Sequence, residues 1–84
     1  MHDFEVRIVG IFENVLEQEK GSVSLEQTFE ELKVDSISFI GLVVQCEIEF
    51  DIQFEDEMLI SSNFPDVSTF AKYIKSRTER ESES

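Results

Sequence analysis

The chain has 84 residues, with nineteen acidic side chains against seven basic ones and a net charge of -12. A chain this short forms one domain with a thin core, burying about 60–65% of its unfolded surface, and its charge repels nucleic acid and anionic lipid while favouring proteins with basic patches. The single cysteine excludes an internal disulfide and fits a reducing compartment, no run of about 18 apolar residues offers a membrane span, and Met1-His2-Asp3-Phe4-Glu5 lacks the basic-then-apolar order of a secretory signal, so the expected location is cytoplasmic.

Phe4, Ile8, Ile11, Phe12, Val15 and Leu16 recur at helical spacing and predict a first helix from Phe4 to Glu17. Asp3 is placed to cap it, and Gly21-Ser22 ends the pattern. Residues 21–35 form a long connection. Within it, Ser24-Leu25-Glu26-Gln27 and Thr28-Phe29-Glu30-Glu31 have capping-box spacing, which predicts one short helical turn with Leu25, Phe29 and Leu32 inward. A second helix is expected from Ser36 to Phe50, capped by Asp35 and closed by Asp51. A short third helix is expected around Asp56 to Ser62, broken by Asn63-Phe64-Pro65. The last helix should start at Asp66 or Ser68 and end near Arg77, with Val67, Phe70, Ala71 and Ile74 as its core stripe. The domain is therefore drawn at residues 1–77, and 78–84, which has no apolar residue, as a disordered acidic tail. No strand alternation or repeat is present. The fold class is all-α: a small four-helix bundle of three main helices and a short third one, expected to be a monomer.

The second helix carries the most information. At about 100° per residue, Phe39, Leu42, Val43, Cys46 and Phe50 form a complete core stripe, yet Ile37, Val44 and Ile48 gather on the opposite side with Ile40 beside them. Such a helix either is covered on both sides or keeps one face for a partner. Gly41 falls on that outer face, where it is either a notch for a close approach or a neutral choice. Ser36 stands at the positive end of the helix, where a phosphate on its hydroxyl would meet free backbone N–H groups. By itself Asp35-Ser36 reads as a simple capping pair.

The run Phe29-Glu30-Glu31-Leu32-Lys33-Val34-Asp35-Ser36-Ile37-Ser38-Phe39-Ile40 resembles the attachment region of the acyl and peptidyl carrier protein family. The run from Glu47 to Glu57 is similar to that family's passage from second to third helix, and Val67 to Ile74 to its last helix. The resemblance implies the bundle fold of that family, no catalysis by the chain itself, and a 4'-phosphopantetheine arm transferred from coenzyme A to Ser36 by a phosphopantetheinyl transferase. Asp35 would cap the helix and help the transferase dock. The arm's thiol would hold an acyl or aminoacyl group as a thioester. An activating ligase and downstream synthase or transferase enzymes with basic docking patches would meet the helix face of Ile37, Ile40, Gly41, Val44, Glu47 and Ile48. Fatty-acid-type carriers place acids along this face. Here only Glu47 and Glu49 remain, which points to a specialised polyketide, nonribosomal peptide or lipid pathway. The eight Phe residues suggest a filled interior with little room to shelter a long acyl chain.

Other chemistry is less well supported. Cys46 lies in the core stripe as an inert thiol. His2 has no evident partner, and Asp51, Glu55, Asp56 and Glu57 lack the glycine and spacing of a calcium loop, so no metal site is expected. Three readings stand: an acyl carrier, an aminoacyl or peptidyl carrier loaded by an adenylation enzyme, and a helical adaptor that binds a basic partner without modification.

Overall fold

The structure, a computed structural model, describes residues 3–82. His2 lies outside them, and the side chain of Asp3, with its expected cap, lies outside the described side chains. Three α-helices account for most of the chain: α1 (Asp3–Val15), α2 (Ser36–Phe50) and α3 (Val67–Ser82). No helix among the described residues is long and apolar enough to cross a membrane.

The helices enclose one core. Ile8, Val9 and Phe12 of α1 meet Phe39, Leu42, Val43 and Cys46 of α2 and Val67, Phe70, Ala71 and Ile74 of α3. Phe70 is the centre of an aromatic cluster, its ring 5.1 Å from Phe64, 5.4 Å from Phe12 and 5.7 Å from Phe54. Edge-on and tilted ring pairs of this kind add to the stabilisation from area burial.

The α1 helix stops at Val15, before the expected Glu17. The Gln18 N–H donates to the Glu13 carbonyl at 2.8 Å and the Glu17 N–H to the Asn14 carbonyl at 3.3 Å. Glu17 itself is left-handed at φ 55°. These are the paired bonds of a helix-ending motif usually built on glycine. Gly21, the expected stop, serves a later turn at φ 87°. Glu13 then organises the return of the chain. It is 8% exposed, and its Oε2 accepts the N–H of Gly21 at 2.7 Å and of Val23 at 3.3 Å.

The α2 bounds are as expected, but the short third helix is not one element. Two 3-10 turns, Asp56–Met58 and Ser61–Asn63, take its place. Glu55 gives the first turn no side-chain cap, and Ser-Ser-Asn before Pro65 offers little helix propensity, so no α-helical nucleus forms. At the other end, α3 runs through to Ser82 and does not stop at Arg77. The segment drawn as a disordered tail thus begins as helix: Glu and Arg are good helix formers, and no Gly or Pro interrupts them. Glu83 and Ser84 lie outside the described residues.

Candidate functional site

Ser36 is the first residue of α2 and is exposed. The connection before α2 holds it in place, and a second one, after α2, lies beside it. In the first, the Thr28–Glu31 capping box forms in full: the Thr28 N–H donates to Glu31 Oε1 and the Glu31 N–H to Thr28 Oγ1, both at 2.9 Å. Ser24 makes half of the other box, its N–H donating to Gln27 Oε1 at 2.8 Å. Phe29 and Leu32 are buried and Leu25 partly so, as expected. The connection is also bound to the start of α3. Thr28 pairs with Asp66 in a single antiparallel bridge, the Phe29 N–H donates to the Pro65 carbonyl at 3.0 Å, and the Val67 N–H donates to the Gln27 carbonyl at 3.0 Å. Lys33, at φ 56°, makes the last left-handed turn before the site.

Asp35 caps α2 as expected, with Oδ1 accepting the Ser38 N–H at 2.7 Å. That backbone bond, with help from the Ser38 side chain, holds its carboxyl below the ordinary 3.8. The remaining N–H groups of the first turn, the helix dipole and the Ser36 hydroxyl together suit a phosphoester.

An open cleft of about 200 Å³ adjoins the serine, lined by Ser36, Phe39, Ile40, Leu59 and Ile60. Leu59 and Ile60 were not singled out by sequence. The sequence pattern places them in a helix, whereas they fall in the gap between the two 3-10 turns, exposed beside Ser36. Ile37, Ile40, Val44 and Ile48 are all exposed on α2.

Two residues expected on that face are turned elsewhere. Gly41 faces α1: a Cβ there would lie 3.1 Å from Val15 Cγ1, so the notch is filled from within the molecule. Glu47 is half-buried and its Oε2 accepts the Phe54 N–H at 3.0 Å, which fixes the start of the second connection. Glu49, the other acid of α2, holds Arg7: the guanidinium Nε donates to Glu49 Oε2 at 3.1 Å and lies 4.6 Å over the Phe50 ring.

Cys46 is fully buried, and burial, with Glu49 and Glu47 nearby, pushes its thiol up to about 12. It stays protonated and unreactive. Asp51, Glu55, Asp56 and Glu57 are exposed, and among the described residues no group of His, Cys, Asp or Glu converges as a metal set. Glu55 instead faces Arg77 at 3.4 Å.

Residues 6–74 match the family described as the phosphopantetheine attachment site. The acyl carrier protein of Lactococcus lactis subsp. cremoris is 30% identical over 69 residues, covering 82% of this chain and 89% of that one. An acyl carrier protein homolog of Mycoplasma pneumoniae is 49% identical over 39 residues, so that the match spans 46% of each chain, less than half. The crystal structure of an acyl carrier protein from Thermotoga maritima superposes with a TM-score of 0.74 at 29% identity, covering 95% of this chain and 98% of that one. The chain therefore belongs to the acyl carrier family, whose members bear a covalently attached 4'-phosphopantetheine and act as carriers, not enzymes.

Proposed function

We propose that Ser36 is the attachment point of the arm and that Asp35 sets the geometry of the transfer. The observation that carries this reading is an exposed serine at the capped, positive end of α2, inside the family match. In the transfer, the Ser36 hydroxyl oxygen attacks the β-phosphorus of coenzyme A. The bond from that phosphorus to the oxygen bridging the two phosphates breaks, 3',5'-ADP leaves, and the hydroxyl proton passes to a base of the transferase. A phosphodiester on Ser36 would have the N-terminal turn of α2 beside it, where negative charge is favoured. A bound arm would offer its thiol to an acyl group that an activating ligase holds as an acyl adenylate, the bond from the acyl carbon to the phosphate oxygen breaking and AMP leaving as the thioester forms.

The cargo is an acyl group in a specialised polyketide, nonribosomal peptide or lipid pathway. Support comes from α2, whose outer face has no acid from Ser36 to Cys46. The ring-filled interior and the small cleft beside Ser36 favour a cargo that stays largely outside the bundle. A single cysteine, buried in the core, fits a reducing, cytoplasmic setting.

Intact mass after incubation with coenzyme A and a broad-specificity phosphopantetheinyl transferase tests the anchor. The expected result is a gain of one phosphopantetheine unit, lost in Ser36→Ala. A gain that survives Ser36→Ala, or no gain, overturns it. Charging the holo protein with an acyl-activating ligase, and separately with an amino acid adenylation enzyme, decides the cargo. Exclusive loading by the second would make it an aminoacyl or peptidyl carrier.

A further inference from the structure

The α3 helix, the start of α1 and the connection before α2 line a cleft of about 220 Å³ that shares no residue with the one beside Ser36. Phe4, Leu25 and Ala71 supply its apolar lining. Two of them are braced from outside it. The Phe4 ring lies 5.0 Å from that of Phe50, and the Leu25 carbonyl accepts the Ser68 N–H at 2.9 Å. The cleft is thus formed before anything enters it. Its volume falls below the roughly 300–1,000 Å³ of sites for drug-sized molecules, so an occupant must be small.

Charge says what kind of molecule that is. Lys72 and Lys75 both line the cleft, three residues apart on one face of α3. They are two of seven basic side chains in a chain of net charge -12. The ion pairs among the described residues engage Arg7 and Arg77 and neither of these lysines. Lys72 lends its field to Asp66 without such a contact. Neighbouring ammonium groups on a helix repel, and an anion between them removes that cost. One acid, Glu5, lines the same cleft. Two positive charges and one negative leave a single positive charge to balance, which is the complement of a monoanion.

We infer that this cleft binds a small monocarboxylate with an apolar body, its carboxylate between Lys72 and Lys75 and its body against Phe4, Leu25 and Ala71. Lysine stems lie along apolar surface while their heads stay in water, so such a ligand is met along its whole length. A thioester lacks the charge, so the site separates a free carboxylic acid from the same acyl group in thioester form. The inference does not depend on Ser36, and chain with and without an arm should bind alike.

Octanoate is the probe, titrated into the full chain and followed by backbone amide NMR shifts. The expected result is saturable binding with a Kd at or below about 1 mM, the largest shifts falling on Phe4, Leu25, Ala71 and Lys72. Octanamide keeps the body without the charge and should bind about tenfold more weakly, the usual worth of hydrogen bonds to a charged group. Butanoate should also bind at least about tenfold more weakly, because each buried methylene contributes. Lys72→Gln and Lys75→Gln should each weaken octanoate binding about threefold and together about tenfold, while Glu5→Gln should tighten it about threefold, as exposed charge pairs do. All are surface changes that should keep the melting temperature. Octanamide or octylammonium that binds as well as octanoate overturns the inference. So does a Kd unchanged in the folded double lysine variant, shifts centred on Ile37, Ile40 and Leu59, or a Kd weaker than about 10 mM. A short peptide with a C-terminal leucine carboxylate that binds more tightly than octanoate makes the occupant a protein chain end, and overturns it as well. The octanamide comparison uses the unsubstituted chain, so it decides the matter even if a variant fails to fold.

Discussion

The two connections that meet at Ser36 are built in opposite ways. The one from Leu16 to Asp35 is held along its length: Glu13 takes two of its N–H groups, a capping box closes its turn, and Val23, Phe29 and Leu32 are buried. The one from Asp51 to Asp66 is held mainly near its ends, with Met58 partly packed on the core and Asn63 Nδ2 donating to the Glu57 carbonyl between them. Ile52, Phe54 and Phe64 are buried, and Glu47, Tyr73 and Arg77 bond to the backbone of Phe54, Glu55 and Gln53. Between these points two short turns present Leu59 and Ile60 to the outside. The first connection fixes where the serine stands. The second leaves apolar surface beside it.

The largest effect should come from Phe29→Ala. That ring touches Phe12 at 5.6 Å and Phe70 at 5.9 Å, and its loss should cost about 3–5 kcal/mol in urea unfolding. Glu13→Ala comes next. It leaves the Gly21 and Val23 N–H groups without their acceptor, and a charge-assisted pair of this kind is worth about 2–3 kcal/mol. Glu13→Gln keeps an acceptor oxygen and should lose less. If both substitutions were silent, the first connection would not be the rigid one.

Lys33→Gly should act the other way. Lys33 is left-handed at φ 56°, a conformation glycine adopts without steric cost, so the substitution should stabilise by about 1 kcal/mol. Strain at Lys33 is local to the approach to Ser36, and a loss of stability would mean that the lysine side chain holds the turn. Acid should weaken both connections where they feed a helix. Asp35 is held low by its bond with Ser38, and Asp66 by its side-chain and backbone bonds with Thr69. A depressed folded pKa contributes stability at neutral pH that is lost as pH falls through it, so melting temperature should drop below about pH 4. Asp35→Asn keeps an acceptor without the titration, and its acid profile should be flatter.

Much of the first connection was legible, because capping boxes are local and their spacing is written in adjacent residues. Asp35 and α2 were legible for the same reason. Glu13 was not: an acid on the core side of an amphipathic helix carries no signal until the chain folds back at Glu17, and that turn lacks the expected glycine. Gly41 was misread because a helical wheel gives an angle and not the path of the neighbouring helix, and α1 packs where the outer face was drawn. Glu47 and Glu49 looked like partner-facing acids because their own partners, Phe54 across a turn and Arg7 on another helix, are set by tertiary structure. The exposed Leu59 and Ile60 were hidden by assigning them to a helix. Ser36 was visible as a helix start from its own neighbours, whereas its role came from the resemblance of a longer run.

The smallest stability effect is the one that most sharply separates the two connections. Leu59→Ser and Ile60→Ser remove apolar side chains of the same size class as Leu32, yet each should change unfolding free energy by no more than about 1 kcal/mol, Ile60→Ser the less, because Ile60 is 57% and Leu59 38% exposed where Leu32 is buried. Leu32→Ser, in the first connection, should cost several-fold more, since that side chain is buried and its hydroxyl replacement would be left among Phe and Val. Urea unfolding of the three variants side by side measures the contrast directly. Equal losses would mean that Leu59 and Ile60 help to close the core, and the surface beside Ser36 would then be part of the fold and not a place for a partner.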